Sequence, residues 1–111
     1  MELVEEIHGR VVVVTAHGRL DGSTSQAFGA RLEKLAATSQ PRLVIDFSGI
    51  DFVSSAGLRV VLTALKRVKA AKGMLALCAV QAPVREVLDI TGFTAMLDVH
   101  PGQAEAIAAL A

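Results

Sequence analysis

Tryptophan and tyrosine are absent from the 111 residues, and phenylalanine occurs only four times. The chain thus lacks the stacking platforms that single-stranded nucleic acid needs, and its core must be aliphatic. Neither sign of charge is in excess: 11 basic residues balance 11 acidic ones, for a formal net charge of zero. A nucleic-acid footprint wants a basic surplus, so no nucleic-acid partner is expected. A single cysteine, Cys78, leaves no internal disulfide and fits a reducing, cytoplasmic setting. The longest apolar runs, Met74 to Val80 and Ala106 to Ala111, fall far short of the ~20 residues of a membrane span. Met1-Glu2-Leu3-Val4-Glu5-Glu6 has no basic leader region, so neither membrane insertion nor a signal peptide is expected. Walker-type phosphate loops, Gly-rich dinucleotide fingerprints, nucleophile elbows and zinc-ligand patterns are missing too. His8, His17 and His100 form no ligand pair, and Cys78 has neither a neighbouring cation nor a resolving cysteine. The expectation is a binding protein with no catalysis, metal or cofactor.

What is present is apolar material. Fifty-two per cent of the residues are hydrophobic, enough to fill the core of one domain over residues 1–111. Metal or crosslinks become necessary only below roughly 40 residues. Leu3 to Ile7 and Val11 to His17 read as strands joined by a turn at His8-Gly9-Arg10. Val11-Val12-Val13-Val14 is apolar on both faces, as in a central strand covered from both sides. Gly18 to Gly22 reads as a loop. Ser23 and Gln26 have the form of a capping box opening a first helix over 23–38, with Phe28, Leu32, Leu35 and Ala36 at helical spacing.

Pro41 follows the break, and Leu43-Val44-Ile45-Asp46-Phe47 reads as a buried parallel strand, with Ser48 to Ser54 as the loop after it. Leu58, Val61, Leu62, Leu65 and Val68 define a second helix over 56–72, closed by Gly73. Its basic residues are a solvated face by default and a partner contact by alternative. A strand over Leu75 to Val80 comes next, then a third helix with Pro83 at its first position, ending at Ile90 before Thr91-Gly92. A short edge strand within Phe93 to Val99 and a helix from Gln103 to Leu110 complete the chain. Strands alternating with helices predict an α/β fold: a mixed, mostly parallel sheet of four to five strands with flanking helices, preceded by one antiparallel hairpin strand.

The informative stretch runs from Ile45 to Arg59, joining the carboxyl end of a parallel strand to the start of the second helix, the edge where open α/β sheets place their sites. Ser55 falls at or next to that helix's N-cap. Its hydroxyl has two uses there. It can satisfy an unpaired backbone N–H, worth about 1 kcal/mol. It can also take a phosphate, which would meet the positive helix end and free N–H donors. Phosphoserine brings about −1.5 to −2 of charge, so a surface that accepts the hydroxyl can reject the modified form with no change of fold.

Asp46-Phe47-Ser48, then Phe52-Val53-Ser54-Ser55-Ala56-Gly57-Leu58 before an amphipathic helix, resembles the signature of STAS-domain anti-sigma-factor antagonists. Gly18-Arg19-Leu20-Asp21 is similar to the family's element before the first helix. Pro83-Val84-Arg85-Glu86-Val87-Leu88 with Thr91-Gly92-Phe93 is similar to its third helix and exit. The resemblance covers nearly the whole chain. It implies a STAS fold and a bacterial partner-switching regulator. In that family an ATP-using serine kinase, itself the anti-sigma factor, phosphorylates the antagonist and a dedicated phosphatase reverses the step. Only the unphosphorylated form binds the kinase and frees the sigma factor. By position Ser55 is the phosphoacceptor. Ser54 stands where the family often has Asp and is the competing acceptor. Asp21, Ser54, Ser55, Ala56, Gly57 and Arg59 are the implied partner-binding residues. For Asp21 and Asp46, hydrogen bonding within a local turn is the competing explanation. The rival to the switch is a non-switching STAS subunit of a larger assembly, such as a lipid-transport complex, with Ser55 only a cap. A second rival is a small phosphate-handling enzyme or carrier domain, for which a reactive residue at a strand end is missing.

Overall fold

A computed structural model describes all of residues 1–111. Five strands, β1 (Glu2–His8), β2 (Val11–Leu20), β3 (Arg42–Val53), β4 (Met74–Cys78) and β5 (Asp98–His100), lie side by side in chain order in one sheet. β1 is antiparallel to β2, and each later pairing is parallel. The parallel crossovers are made by helices α1 (Ser25–Ala36), α2 (Ser55–Ala70) and α3 (Ala82–Ile90), the last followed by a 3-10 turn at Phe93–Ala95. Crossovers of one hand that advance in one direction put their helices on one face. Phe28 and Leu32 of α1, Val61 and Leu65 of α2 and Val84 and Leu88 of α3 accordingly share a core with Val14, Ile45 and Leu77 of the strands. The other face is covered by α4 (Gln103–Leu110), whose Ala106 and Leu110 meet Val11, Val13, Val44, Ala76 and Cys78. The valine run at 11–14 is explained by this division: Val11 and Val13 face α4, Val12 and Val14 the three-helix layer.

Several boundaries differ from the sequence expectations, each for a local reason. β2 runs on to Leu20 through the expected loop at 18–22, and β3 runs on to Val53 through the expected loop at 48–54. The two extensions pair with each other, with register shifts between Thr15 and His17 and between Gly18 and Arg19. The glycines read as loop punctuation sit at these irregularities, where strands tolerate and use them. Gly18 holds φ +119, and a Cβ on Gly49 would lie 2.8 Å from the Ala16 carbonyl oxygen. Buried Leu20, Ile50 and Val53 anchor the extensions.

α1 begins at Ser25, not Ser23, and no capping box forms. Ser23 is spent on Asp21, and Thr24 occupies the cap position without a side-chain cap bond. Pro83 is the second rather than the first residue of α3. The segment expected to hold a short edge strand opens with the 3-10 turn, and the strand it holds, β5, is three residues long and runs on to His100.

Candidate functional site

The strand extensions carry the ends of β2 and β3 beyond the central sheet and bring them together with the start of α2. Leu20 pairs with Val53, and the Ser54 N–H donates to the Leu20 carbonyl at 2.9 Å. Ser54 is extended (φ −88, ψ 172), and its Oγ accepts from the Gly57 N–H at 3.2 Å. The helix cap is therefore Ser54. Ser55 thus falls next to the cap, one of the two positions expected for it, and the capping hydroxyl is that of Ser54, expected as the last residue of the loop. Ser55 is the first residue of α2, exposed, and its hydroxyl holds no hydrogen bond within the chain. Of the two adjacent serines, one is consumed by the fold and the other is free at the positive end of a 16-residue helix.

Gly57, expected at the docking surface, is buried instead. A Cβ there would sit 2.7 Å from the Leu20 carbonyl oxygen, so this residue sets how closely α2 seats on β2. Ala56 is half-buried and Arg59 exposed.

Asp21 lies directly after β2, beside Ser54. Its Oδ1 accepts from the Ser23 hydroxyl at 2.7 Å and from the Ser23 N–H at 3.0 Å. The Ser23 hydroxyl bond, seconded by the Ser23 and Thr24 backbone bonds, holds the carboxyl below its ordinary value. Its own N–H donates to the Thr24 hydroxyl, and its carbonyl accepts from the Ser25 N–H at 2.9 Å. The turn into α1 is thus locked by Asp21, which leaves its charge at the sheet edge. Asp46 has a different fate: it is 6% exposed, its Oδ1 accepts from the Ser48 N–H at 2.8 Å and its Oδ2 from the Gln103 side chain at 2.6 Å. It ties β3 to α4 and does not reach the Ser55 edge.

Two residues at this edge stand within the quoted motifs but were given no site role. Arg19 lies over the Phe52 ring, 4.0 Å from its centroid, and its Nε is 3.7 Å from Asp21. Phe52 is 39% exposed. The signal available in the sequence was an aromatic residue on the polar face of an extended strand, hidden while that segment read as a loop.

Cys78 is buried on the α4 face, and burial, with Asp46 and Glu105 adding repulsion, pushes its thiol up to about 12. The three histidines lie apart: His8 is beside Glu6 at 3.8 Å, His100 beside Asp98 at 2.9 Å, and His17 beside Gly49. No group of three or more His, Cys, Asp or Glu residues is placed to hold a metal ion. No helix is long and apolar enough to cross a membrane.

The STAS domain family model matches residues 2–106, and the chain belongs to that family. BtrV of Bordetella bronchiseptica, named as an anti-sigma factor antagonist, is 32% identical over 96% of this chain and 90% of its own length. The crystal structure of an anti-sigma factor antagonist from Mycobacterium paratuberculosis is 26% identical and superposes with a TM-score of 0.88, covering 98% of this chain and 92% of that one. SpoIIAA in its unphosphorylated form shares the fold, with a TM-score of 0.78 at 23% identity over 96% of this chain and 93% of that one. The expected mixed, mostly parallel sheet of four to five strands has five, and with its flanking helices it is the STAS fold.

Proposed function

We propose that this chain is an anti-sigma factor antagonist controlled by phosphorylation of Ser55. Unmodified, it binds an anti-sigma factor that is also an ATP-using serine kinase, and the bound sigma factor is released. Phosphorylated, it no longer binds, until a cognate phosphoserine phosphatase restores the hydroxyl. It acts in the cytoplasm as one STAS domain over residues 1–111, catalyses nothing itself and needs no cofactor.

The observation that carries this reading is the division of labour between Ser54 and Ser55. Because Ser54 caps α2, Ser55 can gain or lose a phosphate without any hydrogen bond of the fold being broken. A phosphate there is stabilised by the helix terminus yet remains exposed on the docking edge formed by Asp21, Ser54, Ala56 and Arg59. The names of the relatives supply the kind of partner.

The test is mass spectrometry after incubation with the cognate kinase and ATP, on the wild type and on the Ser54→Ala and Ser55→Ala variants. One phosphate on Ser55, absent from Ser55→Ala, is the expected result. A phosphate that maps to Ser54, or that survives in Ser55→Ala, refutes the assignment.

A further inference from the structure

The chain is neutral, but its charges are segregated. Helices α1 and α2 together carry Arg31, Lys34, Arg59, Lys66, Arg67 and Lys69 against a single acid, Glu33. Between these helices runs an open groove of about 480 Å³. Small side chains, among them Gly29, Ala30, Ala56, Val60 and Ala64, line it. The depth is set by Gly29, where a Cβ would stand 3.2 Å from Val60. From Ala56 to Arg67 the groove follows α2 for about 16 Å.

Its two ends differ. At one end Arg67 is paired with Glu33 at 3.2 Å, and that pair closes the groove. At the other, nearest Ser55, Arg59 stands with no carboxylate in ion-pair range, whereas Arg31 is committed to Glu5 on β1. The same end holds Ser25, 8% exposed, which lines the groove with a hydroxyl that makes no hydrogen bond within the chain. That hydroxyl opens onto the groove, where a hydrogen-bonding group of an incoming ligand can take the place of solvent.

We propose that this groove seats an acidic segment of the protein partner, with one carboxylate of that segment taking the Ser25 hydroxyl and the Arg59 guanidinium at the open end. The inference rests on the partner-binding reading above and adds a second contact area to it. It also couples the groove to the modification site. Arg59 follows Ser55 by one helical turn, so a phosphate on Ser55 competes for the same guanidinium. Phosphorylation then disarms the groove as well as charging the docking edge.

The experiment is calorimetric titration of the purified anti-sigma factor kinase with the folded wild type, its Ser55-phosphorylated form, and three variants. Arg59→Glu reverses the charge at the open end and Ala30→Trp fills the groove from an exposed position. Each is expected to weaken binding by roughly tenfold to a hundredfold, the range of a lost charge-assisted contact. Lys66→Glu makes the same charge change on α2 outside the groove and is expected to stay within about threefold. Circular dichroism melting confirms that each variant is folded. If Arg59→Glu and Ala30→Trp bind like the wild type while phosphorylation still abolishes binding, the groove proposal is overturned and the switch stands. If the unmodified wild type does not bind the kinase, the switch itself fails and the groove proposal falls with it. Retention of the wild type on anionic phospholipid vesicles, or a dimer in sedimentation, lost in Arg59→Glu or Ala30→Trp while kinase affinity is unchanged, would assign the groove to lipid or to a second copy and overturn the proposal as stated.

Discussion

Gly57 and Leu20 touch so closely that a Cβ on Gly57 would lie 2.7 Å from both the carbonyl oxygen and the Cγ of Leu20. That contact, with the Ser54-to-Leu20 hydrogen bond beside it, fixes the first turn of α2, which Ser55 opens, against the end of β2.

The three neighbouring residues Ser54, Ser55 and Gly57 therefore respond differently to alanine. Gly57→Ala drives a methyl into backbone and is expected to destabilise by about 1–3 kcal/mol, more than the ~1 kcal/mol that alanine gains over glycine in a helix. Ser54→Ala removes the cap and costs about 0.5–2 kcal/mol. Ser55→Ala removes a hydroxyl bound to nothing in the chain and stays within about 0.5 kcal/mol. Urea denaturation of the three variants checks the order. A larger loss in Ser55→Ala than in Ser54→Ala would show that the cap has been misassigned.

Asp21 predicts a pH response at the same edge. Its folded value lies below the ordinary 3.8 because ionised Oδ1 is held first by the Ser23 hydroxyl. The turn's contribution to stability is thus present above the unfolded value and is lost as pH falls through the lowered folded value. Carboxyl-carbon NMR titration should find Asp21 below 3.8 and shifted upward in Ser23→Ala. An unchanged Asp21 titration in Ser23→Ala would contradict the assignment.

Cys78 should be chemically silent. With the thiol pushed up to about 12 by burial first and by Asp46 and Glu105 next, almost no thiolate exists near pH 8. An aromatic disulfide reagent is expected to label it only in denaturant. Because the unfolded thiol titrates near its ordinary 9.0, folding stability falls as pH rises from there towards about 12. Rapid labelling of the native protein at pH 8 would overturn this.

Much of the fold was legible from periodicity alone. The alternation of Leu43–Phe47 and Leu75–Val80 with the helical spacing of Leu58, Val61, Leu65 and Val68 specifies parallel strands with covering helices, and the structure has them. The site was legible less completely. Gly18 and Gly49 looked like loop residues, since a glycine at a bulge and a glycine in a loop have the same local signature; what distinguishes them is the pairing of Leu20 with Val53, a contact between distant segments. For a related reason the motif places Ser55 only at or next to the cap and does not say which of the two serines caps. Which of two adjacent serines becomes the cap depends on where the chain leaves β3, and that is set by the Ser54 hydrogen bond to Leu20. The burial of Gly57 likewise follows from packing against β2, which no motif displays.

The central claim is that a charge at Ser55 decides whether the partner is bound. The most direct measurement is calorimetry of the unmodified and the Ser55-phosphorylated protein against the cognate anti-sigma factor kinase. Burying an uncompensated phosphate against a partner costs several kcal/mol, and about 1.4 kcal/mol is tenfold in affinity, so phosphorylation is expected to weaken binding by roughly a hundredfold or more. Equal affinities for the two forms would contradict the account and leave Ser55 as an unmodified helix-start residue in a constitutive STAS subunit.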